Sequence, residues 1–235
     1  MKKVSFIVVF SAFVVSILLL IFLSIYNITS YTYASVAKSA KSIVIDAGHG
    51  GPDGGAVASD GTCEKDINLN IAYYLKYFFV ASGYKVVLTR TEDSFICDDK
   101  TASLAQQNTS DLHNRLKIAQ STPNSIFISI HLNKFPESKY WGAQVFYSPN
   151  NPNSRLLGES VSNRIITSLQ PDNTRQCKEM DDSVYIIYNA TMPAVLVECG
   201  FLSNENELKL LKTKEYQQKM AYSIFCGVED YYKNT

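Results

Sequence analysis

From Val4 to Ile25 the chain runs 22 residues without a charge, almost all apolar, directly after Met1-Lys2-Lys3. No polar face interrupts the run, so it is not the amphipathic stripe of a helix packed on a core. Its length exceeds the ~7–15 residues of a cleaved signal's apolar core and reaches the ~20 that a bilayer span needs. Lysines ahead of such a run follow the positive-inside bias of exported chains. The pattern predicts a signal or transmembrane anchor over residues 1–25, and the length favours an uncleaved anchor. Small residues in Thr32-Tyr33-Ala34 and Ser35-Val36-Ala37 leave cleavage after Ala34 or Ala37 as the alternative. Residues 26–41, rich in Ser, Thr, Tyr, Ala and Lys, read as a linker.

Beyond residue 41, short apolar runs alternate with segments of helical period. Strands are expected over 42–47 (SIVIDA), 84–89 (YKVVLT), 125–131 (SIFISIH), 143–147 (AQVFY), 184–188 and 194–199 (AVLVEC). Helices are expected over 67–81, where apolar residues recur at 67, 71, 74, 75, 78 and 79 before Gly83, and over 101–120, 154–169, 204–213 and 214–232. Pro171 stops the 154–169 helix. Strands this uniformly apolar are covered on both faces, so residues 42–235 are expected to form one α/β domain with helices on both sides of its sheet.

Charge divides the chain in the same place. The whole carries 22 basic and 22 acidic residues, yet residues 1–41 hold Lys2, Lys3, Lys38 and Lys41 and no acid. The remaining 194 residues therefore carry 18 basic against 22 acidic, a net of −4. An acidic body argues against nucleic-acid binding through a basic face. Hydrophobic content of 46% excludes general disorder. The five cysteines (Cys63, Cys97, Cys177, Cys199, Cys226) are odd in number, show no C-x-x-C spacing, and read as free thiols.

Side chains that do chemistry in α/β sheets gather just beyond the carboxyl ends of strands. The first such point is Asp46-Ala-Gly-His-Gly-Gly-Pro-Asp-Gly-Gly55. As a phosphate cradle it fails on spacing: counting G-x-G-x-x-G from Gly48 puts Asp53 at the last glycine, and no P-loop lysine follows. The glycines instead let a loop wrap closely around His49. Glu64 stands just before the 67–81 helix, and His131 ends the 125–131 strand. Two imidazoles and a carboxylate are the protein ligands of a catalytic zinc, with a fourth position left for water. Glu198 ends the 194–199 strand. It would serve as general base and acid beside such a metal, or pair with Arg90 or Arg115 as a structural ion pair. Asn133 is a candidate to bind substrate, and Asp46 a candidate acceptor for a ligating histidine. Alternation along the strand turns Cys199 away from Glu198. His113, in a polar helix, reads as a solvated surface residue.

Together, His49-Gly-Gly-x-Asp-x-Gly-Ala56, Glu64, Ser129-Ile-His131-x-Asn133 and Glu198-x-Gly-Phe-x-Ser-Asn204 resemble the zinc-dependent N-acetylmuramoyl-L-alanine amidases of the type-3 family. The motifs follow the family's order and span roughly residues 42–232. The resemblance implies a twisted mixed sheet flanked by helices, Zn²⁺ held by His49, Glu64 and His131, and Glu198 as general base. The implied reaction hydrolyses the amide between the lactyl group of N-acetylmuramic acid and the L-alanine of the stem peptide in peptidoglycan. A body without wall-binding repeats behind one N-terminal anchor is most similar to the sporulation and germination subgroup. Those enzymes strip peptides from spore-cortex glycan so that muramic-δ-lactam can form. Some members of the family work only with an activator protein in the envelope. A zinc peptidase acting on the stem peptide itself, and a catalytically silent wall-binding module, are the competing readings.

Overall fold

The computed structural model describes residues 2–39 and 41–235, with side chains over 8–28 and 41–235. They fall into two compact units, divided along the chain before Lys41. The first is a single helix, α1 (Lys2–Ser39). Its stretch Val8–Ile28 is long and apolar enough to cross a membrane. Where a linker was expected from residue 26, the helix continues to Ser39; residue 40 lies outside the described residues. The physical reason is the composition: no glycine or proline occurs between Met1 and Lys41 to stop a helix.

The second unit is built on a six-stranded sheet of order β2-β1-β3-β6-β4-β5. Its strands are β1 (Ser42–Ala47), β2 (Lys85–Leu88), β3 (Ser125–Asn133), β4 (Gln144–Tyr147), β5 (Lys178–Glu179) and β6 (Ala194–Phe201). The β2, β1, β3 and β6 strands run parallel, whereas β4 returns antiparallel to β6 and β5 follows β4. The sheet is therefore mixed. One face carries Ile43, Ile45, Ile126, Ile128, Ile130, Val195 and Val197. It is covered by α2 (Glu64–Ala81), α4 (Asn153–Ser168) and α7 (Lys214–Lys233) through residues such as Ile71, Leu75, Val161 and Ile224. The other face, with Val44, Phe127 and Leu196, is covered by α3 (Leu104–Gln120) and the short α5 (Tyr185–Tyr188). A further helix, α6 (Glu205–Leu211), follows β6.

Two elements depart from expectation. The 184–188 run, read as a strand, is the single helical turn of α5. A short apolar run has no intrinsic period that tells strand from helix, and packing on Leu116 and Phe127 decides in favour of the turn. The sheet edge falls instead to the two exposed, charged residues of β5, a chemistry that discourages further strand pairing. The α3 helix begins at Leu104 because Ser103 caps it, in a box completed by the side chain of Gln106.

Candidate active site

Side chains from four elements meet beyond the carboxyl ends of the central strands. His49 lies on the loop that leaves β1, Glu64 opens α2, His131 is near the end of β3, and Glu198 stands opposite His131 on β6. The His49 backbone is left-handed, at φ 63°. A non-glycine residue there is strained, which is common where a fold holds a functional side chain in place. Glycines make the room. A Cβ on Gly48 would stand 2.2 Å from His131 Nε2, and one on Gly55 would stand 2.6 Å from the His49 ring and 2.7 Å from Glu64 Oε2.

His49, Glu64 and His131 each offer one ligand atom, all within 4.8 Å of one another. The Oε1 of Glu64 lies 3.2 Å from His49 Nε2 and 3.0 Å from His131 Nδ1. The carboxylate is fixed from behind: Oε2 accepts from the Ala56 N–H at 2.8 Å, and Oε1 from the Leu132 N–H at 2.9 Å and from Asn68 Nδ2 at 3.2 Å. The other nitrogen of His49, Nδ1, sits 2.7 Å from Asp53 Oδ2. That bond leaves Nε2 turned to the site, the arrangement usual for a metal-ligating histidine. The charges answer the same geometry. Burial disfavours ionisation of Glu64, but the two imidazoles outweigh it and hold the carboxyl well below its ordinary range. Burial also opposes a charged His49, yet the hydrogen bonds to Asp53 and Glu64 raise it to about 10. These shifts describe the metal-free site, with a charged His49 beside an ionised Glu64; a divalent cation held by the three groups would take the place of that proton.

Glu198 differs in kind. Its residue keeps a partly exposed edge, but Oε2 is sealed from solvent and has no hydrogen-bond partner among the described residues. Burial pushes its carboxyl up to about 7. Neither arginine weighed as its partner reaches it. Arg90 donates to the carbonyls of Ala47, Gly48, Lys65 and Glu92. Arg115 pairs with Asp46 at 2.8 Å and Asp111 at 2.5 Å.

Residues 43–230 match the family described as N-acetylmuramoyl-L-alanine amidase (Amidase_3). The chain belongs to that family. It is an enzyme that hydrolyses the bond between N-acetylmuramic acid and L-alanine in peptidoglycan. The germination-specific N-acetylmuramoyl-L-alanine amidase of Bacillus subtilis (strain 168) is 34% identical over 224 residues, 94% of this chain and 93% of that protein. The CwlD amidase from Clostridioides difficile, solved in complex with the GerS lipoprotein, matches with a TM-score of 0.80 at 40% identity, covering 83% of this chain and all of that one. N-acetylmuramoyl-L-alanine amidase AmiC2 of Nostoc punctiforme matches with a TM-score of 0.70 at 29% identity, over 83% of this chain and 98% of that one. Family membership sets aside the peptidase and silent-module readings.

Four further sequence expectations can be placed in this amidase. Asp46 does not reach a histidine ring; its oxygens accept from Arg115, from Thr89 at 2.7 Å and from Ser129 at 2.6 Å. The acceptor for His49 is Asp53, which stands inside the glycine motif four residues on and was open to assignment from that spacing alone. Asn133 is half-buried beyond a register shift in β3, and its carbonyl accepts from Leu202 N at 2.8 Å. Cys199 is buried, its Sγ directed at Val197 O, in the core cluster on the sheet face opposite Glu198. His113 is exposed and meets Tyr185 edge-on.

Proposed function

We propose that this amidase is a zinc enzyme in which His49, Glu64 and His131 hold the metal and Glu198 is the general base. The observation that carries the reading is the pairing of a three-donor cluster with an unpartnered carboxylate one strand away. Zinc bound there would polarise the scissile carbonyl and acidify the attacking water. The chain's own residues do the rest. Glu198, poised near neutrality, takes the water's proton on its carboxylate and returns it to the leaving amine of L-alanine. Asp53 holds the proton of His49 on Nδ1, and the N–H groups of Ala56 and Leu132 keep Glu64 in one orientation. Asn133, two residues beyond His131, is positioned to contact substrate.

The substrate is spore-cortex peptidoglycan, stripped of its peptides before muramic-δ-lactam forms. Identity to a germination-specific amidase over nearly the whole of both chains supports this role. The apolar stretch of α1 anchors the enzyme to a membrane with its body outside the cytoplasm. An envelope partner protein is expected to activate it, as the complex of the CwlD relative with a lipoprotein suggests. The test is mass analysis of muropeptides after treatment with wild-type protein and with Glu198→Ala, together with metal content. One zinc per chain in both proteins, and glycan freed of peptide only by the wild type, are expected. Full activity in Glu198→Ala with zinc bound would refute the assigned mechanism.

A further inference from the structure

The amidase site has an acidic side, formed by Asp53, Glu64 and Glu198, and a basic rim that the mechanism leaves unused. Gln144, the first residue of β4, is paired with Glu198 across the antiparallel ladder, so the two side chains share one face of the sheet. Beyond Gln144 lies Arg175, whose Nη1 points to Gln144 Oε1 at 3.5 Å. Its Nε donates to Trp141 O at 2.9 Å, and its guanidinium lies over the Phe201 ring, 4.6 Å from the centroid. Three of the other four arginines, Arg115, Arg155 and Arg164, are ion-paired, and Arg90 is enclosed by backbone carbonyls. Arg175 makes no ion pair among the described residues, and its Nη2 has no acceptor there.

The rim around this guanidinium is built. Glu207 is buried and accepts from Gly142 N at 2.9 Å and from Phe201 N at 2.8 Å, tying the β4 approach to the end of β6. Buried Gln170 and Asn173 clamp both the N–H and the carbonyl of Ala143. A Cβ on Gly142, at φ 90°, would lie 2.9 Å from the Asn173 side chain, so this close approach needs glycine. Lys139, Tyr140 and Trp141 complete the wall of the groove with Asn173 and Thr174. A stacked guanidinium held at its Nε and open at its outer nitrogen is made to receive a carboxylate.

We propose that Arg175 binds a carboxylate of the stem peptide, with Trp141 as the apolar wall of that subsite. The inference rests on the amidase activity. Cleavage at L-alanine leaves the sugar on one side of the site and the peptide on the other, and the stem peptide is the part that carries free carboxylates beyond the scissile bond. Glu198 and Arg175 are separated by one side chain, a distance on the order of 10 Å, which an extended peptide covers in about three residues. The carboxylate recognised is therefore on one of the residues that directly follow L-alanine. Gln144 is itself buried, its amide donating to Gln176 O, so it forms the floor between the two groups; anion binding at Arg175 would draw the peptide over that floor and bring the scissile amide to Glu198.

The test uses the full chain, zinc-loaded in detergent, and two muramyl-peptide fragments that differ only in whether the stem carboxylates are free or amidated. Wild type is expected to show a KM about 10–100-fold higher for the amidated fragment, the size of one charge-assisted contact. Arg175→Gln should raise KM for the free-acid fragment by a similar factor, leave KM for the amidated fragment within about threefold of wild type, and affect kcat less than KM. Arg175→Lys should recover part of the loss. Equal KM values for both fragments in the wild type would overturn the proposal whether or not any variant folds. An equal loss on both fragments in Arg175→Gln would overturn it too, by showing a merely structural residue. Failure of wild type to cleave either fragment, both alone and with an activating envelope lipoprotein added, would instead refute the amidase reading and the subsite with it.

Discussion

A single oxygen, Oε2 of Glu198, separates this site from an ordinary cluster of polar side chains. A buried carboxylate without a donor is costly when charged, so the fold favours its protonated form. Its folded value of about 7 stands above the ordinary 4.5. The stabilising contribution is therefore complete below about pH 4.5 and is lost as pH rises through 7. In chelator-treated protein, Glu198→Gln should match wild type near pH 4.5 and exceed it at pH 8 by about 1–3 kcal/mol. Urea unfolding at the two values checks this, and a gap that did not change with pH would show that Glu198 is not held protonated. Asp53 supports a second prediction. With its hydrogen bond to His49 removed, Asp53→Ala should weaken zinc binding about 10–100-fold, read by competition with a chelator, while the melting temperature of the metal-free protein changes little. Much of the site is legible in the sequence at this scale, because His49, His131 and Glu198 end apolar strands and Glu64 precedes a helix. Gln144 and Arg175 were not legible. Their nearness to Glu198 depends on the antiparallel return of β4 and on a loop after α4, and no local spacing encodes either.

Among the elements, the β1–α2 connection depends on two buried arginines rather than on its own sequence. Arg115, from α3, holds Asp46 and the carbonyls of Ala47 and His49, so the helix fixes the loop that presents His49. Asp46 answers with a carboxyl at about 2, where burial is overcome by Arg115 and by hydrogen bonds from Ser129 and Thr89. Arg115→Ala would leave two buried carboxylates, Asp46 and Asp111, without their cation. It should cost about 3–5 kcal/mol, visible as a melting temperature lower by roughly 10 °C, and should weaken zinc binding as the His49 loop loosens. A loss below about 1 kcal/mol would show that water replaces the guanidinium. Most strands and the long helices followed from pattern, because apolar runs of five to seven residues between turn signals have few other uses in a chain of this composition. The errors fell where local pattern is weakest, at the four-residue α5 and the two-residue β5. Tertiary packing decides both.

For the whole molecule, the zero net charge is the sum of two unlike parts, an N-terminal segment through Lys41 of net +4 and a body from Ser42 of net −4. Among the described residues, every member of the two hydrophobic clusters lies at position 43 or later. The family match covers the same ground, 43–230. A chain beginning at Lys41 should therefore fold, melt within about 2 °C of the full-length protein, bind zinc equally and release peptides from soluble muropeptides at the same rate. It should differ in where it partitions. The full chain, with 21 consecutive residues fit to span a bilayer, should sediment with membranes and resist extraction by high salt; the shortened one should remain in solution. Fractionation and calorimetry on the two proteins separate the possibilities. A shortened chain that melted much earlier would mean that α1 stabilises the body directly. A full chain recovered in solution at its complete length would mean that α1 does not anchor it, and cleavage after Ala34 or Ala37 would be read directly from the N-terminus of the recovered protein.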